Sequence, residues 1–202
     1  MAVLGHPLLA GGRDVAEGDE GFMIVRQMLR EYGVPVVMAG DTHDLEYYSQ
    51  PADGPSGPVT VHHWVNGGGG AYLSFGTSLA WPVEPVTSHW AYYPSRLEVV
   101  DKIQADTPWW KRPAWLWTRH LDAWPFSPEW LSAMFNYNVA PFFQSFIEVK
   151  VEPSANRVRL IPYGVHGRLT WQEIAAAPTL RNGAGDDGLV EWIVPMASAA
   201  GR

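Results

Sequence analysis

Two acidic side chains and a histidine end an apolar run near the start of the chain, in the segment Gly-Asp-Thr-His-Asp at residues 40–44. Asp41 and His43 flank a single residue, so both side chains can reach the same point in a cleft. A carboxylate and a neutral imidazole suit Mn, Fe or Zn, and the carboxylate alone suits Mg. The alternative is a simple polar turn, in which Asp41 bonds backbone amides and His43 is only exposed.

His6 favours the metal site over the simple turn. The apolar segment at residues 2–6 predicts a buried strand that ends at His6. It lies one strand–helix–strand unit before residues 40–44, and in such α/β layers the functional side chains gather at the carboxyl ends of strands. We therefore predict that His6 approaches Asp41 and His43, although a lone histidine is more often a core residue bonded to the backbone.

The segment His-His-Trp-Val-Asn-Gly-Gly-Gly-Gly at residues 62–70 contains the next candidates. Adjacent side chains of a strand point to opposite faces, so His62 and His63 cannot both line one site. The glycines let the backbone approach a ligand or an anion, but such runs are often only turns. We take His62, His63, Asn66 and Gly68 as candidates for contact with a substrate.

The elements that must position these residues follow from the spacing of apolar residues. Residues 21–32 have helical spacing, and Gly33 provides a stop signal. This predicted helix lies between the strand at residues 2–6 and a second buried strand at residues 34–40. The order of elements is that of an α/β layer.

The C-terminal half of the chain has two local signals. Residues 145–152 and 156–164 alternate with period two and are joined by Pro-Ser-Ala, which predicts a β-hairpin. Thr170 and Glu173 form a capping box at the start of a predicted helix. The other predicted elements are strands at residues 59–66 and 189–195 and helices at residues 94–106 and 127–139.

The composition excludes several classes of protein. At 202 residues the chain is long enough for one domain with a substantial core and marginal for two. A formal net charge of −7 argues against a nucleic-acid-binding surface, and the absence of cysteine excludes disulfides, thiolate ligands and a cysteine nucleophile. No apolar run is long enough to cross a membrane, and the N-terminus lacks a basic region and a cleavage signal, so we expect a cytoplasmic protein.

The segments described above resemble the C-terminal half of a calcineurin-like metallophosphoesterase domain. In that family a lone metal-binding histidine precedes a Gly-His-x-His block that ends a strand, and an aromatic-rich turn and a strand with a glycine-rich end follow. His6 matches the lone histidine, and residues 40–43 match the Gly-His-x-His block with Asp41 in place of its first histidine. The resemblance covers residues 1–80 by motif. The rest resembles, more loosely, the C-terminal extension of larger bacterial members.

Residues 40–44 also fit an earlier block of the family, Gly-Asp-x-x-Asp, whose aspartate bridges two metals. That alignment requires Asp-x-His before it and Gly-Asn-His-Asp or Gly-Asn-His-Glu after it. The chain has Leu-Gly-His-Pro and Val-Asn-Gly-Gly at those places. The later block is therefore the better match.

The resemblance implies an α/β (α+β) fold: part of a metallophosphoesterase-like β-sandwich flanked by helices, with a C-terminal α+β extension. Residues 1–85 would form the C-terminal half of the catalytic domain, and residues 86–202 a Trp-rich helical segment and a β-hairpin packed on it. The implied activity is hydrolysis of a phosphoester substrate by two divalent metal ions (Mn, Fe, Zn or Mg). His6 and Asp41 would bind one ion and His43 the other.

The family's other metal ligands and its catalytic histidine would precede His6, where the chain has only five residues. We therefore expect a fragment of a larger enzyme, or a chain whose missing N-terminal half comes from a partner polypeptide, with little or no turnover by itself. An alternative of a different class is a non-catalytic interaction or membrane-interface module that retains half of the fold.

The Trp-rich segment at residues 107–126 bears on that alternative. Its indole rings lie close in sequence to Lys111 and Arg112, a composition that suits contact with a membrane interface. It also suits an apolar wall over the cleft. We favour a third interpretation, a lid that packs onto the sandwich and buries most of the rings.

Overall fold

The structure, a computed structural model, describes residues 1–55, 57–69, 89–92, 108–111, 144–174, 184–185 and 187–196. Within these ranges the chain forms a mixed α+β structure with three sheets and two helices. The coarse fold class predicted from the sequence is therefore confirmed. The helices predicted at residues 94–106 and 127–139, and most of the Trp-rich segment, lie outside the described residues.

The strands are short at the N-terminus and longer in two hairpins. In chain order they are β1 (Ala2–Leu4), β2 (Leu9–Ala10), β3 (Arg13–Asp14), β4 (Val36–Ala39), β5 (Leu45–Gly54), β6 (Gly57–Asn66), β7 (Trp90–Tyr92), β8 (Phe146–Glu152), β9 (Arg157–Gly164), β10 (Gly167–Arg168) and β11 (Trp192–Pro195). The helices are α1 (Glu20–Glu31) and α2 (Trp171–Ile174), and single 3-10 turns span Trp109–Lys111 and Pro153–Ala155. Neither helix in the described part of the chain is long and apolar enough to cross a membrane.

The first sheet brings the ends of three parallel strands to one edge. Its order is β1-β4-β6-β5-β7, in which β1, β4 and β6 are parallel and β5 is antiparallel to both of its neighbours. Leu4 lies opposite Ala39, and Ala39 lies opposite Val65, so the three strands end level with one another. The residues that follow them, 5–6, 40–44 and 66–69, therefore share one edge of the sheet, which we call the strand-end rim.

Helix α1 covers one face of this sheet, close to the position predicted at residues 21–32. Asp19 caps its first turn through a side-chain hydrogen bond of 3.0 Å to a backbone amide. Gly33 follows its end in the left-handed conformation, with φ of 57°. The buried side chain of Leu29 packs in one cluster with Val37 of the sheet.

The second sheet consists of β8, β9, β10 and β11, and its elements confirm several predictions. Strands β8 and β9 form the expected hairpin, closed by the 3-10 turn and by Asn156 with φ of 50°. Strand β11 pairs with the other side of β9, within the strand predicted at residues 189–195. The capping box is also present, because the Glu173 carboxylate accepts hydrogen bonds from the backbone nitrogen and hydroxyl of Thr170 at 2.7 and 2.8 Å.

The two sheets share one hydrophobic core. Trp64 of β6 and Trp192 of β11 meet edge to face, with ring centroids 4.2 Å apart, and Tyr47 of β5 lies 4.6 Å from Trp64. The same cluster contains Val36, Leu45, Leu160, Trp171, Ile174, Val190 and Val194. Residues from both the 1–85 and the 86–202 parts of the chain therefore form a single core.

Candidate metal centre

The structure brings His6 and Asp41 together at the strand-end rim. Each follows a strand end by two residues, and β1 and β4 are parallel neighbours. His6 Nδ1 lies 3.0 Å from Asp41 Oδ2, and both side chains are more than half exposed. Two ligands of one ion, each at about 2.1 Å and at right angles, also lie about 3 Å apart. The two atoms are within hydrogen-bonding distance, which is also the spacing of two ligands on one cation.

His43 lies in the same turn as Asp41, two residues further on, and is half-buried. Asp41 and His43 both have left-handed backbone conformations, with φ of 82° and 58°. Such conformations are unfavourable for residues with a Cβ and cluster at functional sites. Among the described residues, however, no set of three histidine, aspartate and glutamate side chains converges closely enough to hold an ion. The structure therefore supplies a pair of neighbouring ligands, with His43 in the adjoining turn.

Gly67, which follows β6, packs directly against the backbone of this turn. Its backbone N–H donates to the Asp44 carbonyl at 3.1 Å. A Cβ on Gly67 would lie 2.6 Å from the backbone nitrogen of His43, so only glycine fits here. The glycine run was predicted to let the backbone approach a ligand, but at Gly67 the close approach is to the turn itself.

Two carboxyl groups missed by the sequence analysis lie directly beneath the turn. Asp44, the residue before β5, and Glu46 of β5 are both fully buried. Thr42 donates its hydroxyl proton to Asp44 Oδ1 at 2.5 Å. Burial raises the pKa of Asp44 well above its usual range, and the neighbouring Glu46 charge raises it further. Burial also raises the pKa of Glu46.

Glu46 links these buried carboxyl groups to the turn between β2 and β3. Its carboxylate accepts from the backbone nitrogen of Gly11 at 3.1 and 2.9 Å and from the Tyr48 hydroxyl. The same hydroxyl accepts from the backbone nitrogen of Gly12 at 2.9 Å. The sequence does contain a signal for this group. Asp44, Glu46 and Tyr48 alternate with other residues, and in an extended segment such residues share one face.

His62 and His63 lie on opposite faces of β6, as predicted, but away from the strand-end rim. They are paired with Val36 and Val37, at the start of β4 and not at its end. His62 Nδ1 contacts the Tyr47 hydroxyl at 2.5 Å. His63 Nε2 lies 3.1 Å from the side-chain oxygen of Gln50. The structure therefore does not place either histidine beside Asp41.

Burial dominates the titration of His63. It lowers the pKa of this group to about 4, and the nearby Arg26 charge contributes in the same direction. The imidazole is therefore neutral at pH 7. His63 belongs to the packing between the sheet and α1, in a small cavity of about 10 Å³ that Leu29 also lines.

Asn66 and Gly68 do lie at the strand-end rim, and both contact a residue that the sequence analysis missed. Ser145, which is buried, donates its hydroxyl proton to Asn66 Oδ1 at 2.7 Å. Its backbone nitrogen donates to the Gly68 carbonyl at 3.4 Å. No local pattern could identify Ser145, since it is 79 residues from Asn66 in the chain.

Comparisons of the chain with models of protein families, with curated proteins and with solved structures found no match.

Proposed function

We propose that this chain supplies ligands to a divalent metal site of a phosphoester hydrolase of the calcineurin-like class. The observation that carries the proposal is the His6–Asp41 pair, with 3.0 Å between Nδ1 and Oδ2 at the ends of adjacent parallel strands. The order of elements, with α1 between the two strands and a second sheet on the opposite face, is compatible with part of a metallophosphoesterase-like sandwich.

Each of the three residues has a distinct role in this proposal. His6 and Asp41 hold one ion, and His43 contributes to the second. The bound ions would lower the pKa of a bridging water and neutralise charge on the phosphoester oxygens. Because a carboxylate is a harder ligand than an imidazole, Asp41 favours Mn or Mg over Zn.

Three side chains are too few for a two-metal site. The remaining ligands and the catalytic acid–base group then come from another segment or from a partner polypeptide, and no residue of this chain is assigned to that step. The phosphoester class, whether monoester, diester, nucleotide or lipid head group, is set by that complete site.

The proposal is tested by binding of Mn²⁺ to the purified chain, followed by the electron paramagnetic resonance signal of the free ion. His6→Ala and Asp41→Asn should each raise the dissociation constant tenfold or more. The matched controls are His166→Ala and Asp53→Asn, which change exposed residues outside the strand-end rim. Equal binding by all variants, or no binding of Mn²⁺, Mg²⁺, Fe²⁺ or Zn²⁺ by wild type, would contradict the proposal.

A second candidate, a membrane-interface module, is favoured by one observation. Trp109 and Trp110, next to Lys111, are 79% and 62% exposed rather than covered. Exposed indoles suit the head-group layer of a membrane, and the lysine that follows them in the sequence suits an anionic one. Co-sedimentation with phosphatidylserine vesicles, lost in Trp109→Ser/Trp110→Ser, would support this function. Absence of vesicle binding by wild type would exclude it.

A further inference from the structure

A buried hydrogen-bond chain begins at the turn that carries the two candidate ligands. Between Asp41 and His43, the Thr42 hydroxyl donates to Asp44 Oδ1 at 2.5 Å. The Asp44 side chain is fully buried. The Asp44 carbonyl is itself fixed by the Gly67 N–H at 3.1 Å. Asp44 therefore bonds to the turn through its side chain and to the residue after β6 through its backbone carbonyl.

We propose that Thr42 and Asp44 are positioning residues of the metal centre: their hydrogen bond holds the turn in the conformation that points Asp41 at His6. The inference rests on the proposed function for its metal-binding readout. Neither residue would contact the ion, and their effect would act through Asp41 and His43.

The turn that this bond anchors has an uncommon backbone conformation. Asp41 and His43 adopt left-handed φ values on either side of Thr42. Conformations of this kind persist only where surrounding contacts determine them. His6 and Asp41 are both largely exposed, so few neighbouring side chains restrict them. The buried Asp44, bonded to Thr42, can instead orient Asp41 through the backbone of the turn.

A second buried polar group adjoins this anchor, because the Glu46 charge acts on Asp44. Glu46 of β5 is bonded to the backbone nitrogen of Gly11 and to the Tyr48 hydroxyl. Tyr48 in turn accepts from Gly12. Glu46 and Tyr48 are therefore fixed by the backbone of the turn between β2 and β3, and they form a bonded neighbour to Asp44.

The test compares two threonines that make the same kind of bond. Thr42→Val removes the hydroxyl with little change in volume, and Thr42→Ser retains it. Thr170→Val is the matched control, because the Thr170 hydroxyl also donates to a carboxylate, Glu173 Oε2 at 2.8 Å, outside the strand-end rim. If Thr42→Val does not fold, Thr42→Ala removes the same hydroxyl and replaces it in every measurement.

Two readouts separate this inference from the proposed function. The first is Mn²⁺ affinity: Thr42→Val should weaken it tenfold or more, whereas Thr42→Ser and Thr170→Val should change it less than threefold. The second needs no metal: the Nδ1 signal in ¹H–¹⁵N spectra of the His6 ring reports the contact of this nitrogen with Asp41 Oδ2, 3.0 Å away. In Thr42→Val this signal should move to its position in Asp41→Asn, while that of Thr170→Val stays at the wild-type position.

Each outcome decides one of the two ideas. If wild type binds no metal but the His6 signal moves in Thr42→Val, the positioning role stands and the proposed function fails. If Thr42→Val matches Thr170→Val in the His6 spectrum, at equal unfolding temperatures, Thr42 and Asp44 do not position the pair and the inference is overturned.

Discussion

Gly67 and His43 are in closer contact than any side chain at position 67 would allow. A Cβ on Gly67 would lie 2.6 Å from the His43 backbone nitrogen and 3.1 Å from those of Asp41 and Thr42. The φ of Gly67 is not positive, so glycine is required here for space and not for backbone conformation. The turn and the end of β6 are therefore packed backbone against backbone.

Gly67→Ala should push the turn away from β6. We expect a loss of about 2 kcal/mol in the free energy of unfolding, since a methyl group forced into a filled space typically costs that much. Urea denaturation measures it. Gly69→Ala is the control, because the nearest atom to its Cβ would be the Ser145 carbonyl oxygen at an ordinary 3.7 Å. Equal stability of the two variants would disprove the close packing.

Glu46→Ala should release the turn between β2 and β3. The change leaves the Gly11 N–H and the Tyr48 hydroxyl without their buried acceptor, which should cost about 3 kcal/mol. Hydrogen exchange at the Gly11 amide should accelerate. Glu148→Ala is a matched control, because Glu148 also accepts from a tyrosine, Tyr163 at 2.9 Å, but at the surface. A loss in Glu148→Ala as large as in Glu46→Ala would contradict the prediction.

His63 should make the protein less stable in mild acid. Burial lowers its folded-state pKa to about 4, whereas the unfolded chain binds a proton near pH 6.5. The unfolded state therefore takes up more protons between these values, and stability falls as the pH decreases from 6.5 to 4. The loss approaches about 3 kcal/mol if His63 titrates alone.

The raised pKa values of Asp44 and Glu46 act in the opposite direction, because stability that depends on them is lost as pH rises. The contribution of His63 is therefore measured as the difference between wild type and His63→Gln. The unfolding free energy of wild type minus that of His63→Gln should therefore decrease as the pH falls. A difference that does not change between pH 7 and 4.5 would refute the assignment.

Trp192→Ala should separate the two sheets. The Trp192 ring is buried against Trp64, Tyr47 and Trp171, so its removal should cost about 4 kcal/mol. Ile193→Ala, on the exposed face of the same strand, should change stability little. Thermal unfolding followed by circular dichroism compares them. Similar midpoints for the two variants would show that the shared core is not a main source of stability.

Local signals in the sequence predicted much of the fold. The helix at residues 21–32, the hairpin and the capping box depend on short-range spacing, and the structure confirms all three. Strand β5 was not predicted, because Asp44 directly precedes it and Glu46 is its second residue, and charge usually indicates exposure. In its buried position Glu46 accepts from the backbone amide of Gly11, 35 residues away, and no local pattern contains that information.

The sequence predicted only those features of the candidate site that depend on the order of the strands. His6 and Asp41 meet because parallel neighbouring strands end at one edge, and that follows from a strand–helix–strand pattern. His62 and His63 looked equally suited by residue type, but their position relative to the end of β6 placed them away from the rim. Ser145 reaches Asn66 through tertiary structure alone.

The core shared by the two sheets has a consequence for synthesis on the ribosome. The face of the first sheet that contains Tyr47 and Trp64 is complete in sequence roughly 130 residues before Trp192 emerges, a delay on the order of ten seconds at typical translation rates. Until Leu160, Trp171 and the later members of this cluster are synthesised, the apolar surface built from aromatic rings lacks the residues that cover it in the folded protein. The nascent chain should therefore be a substrate for ribosome-associated chaperones, and ribosome profiling of chaperone-bound chains should find it engaged until β11 is released.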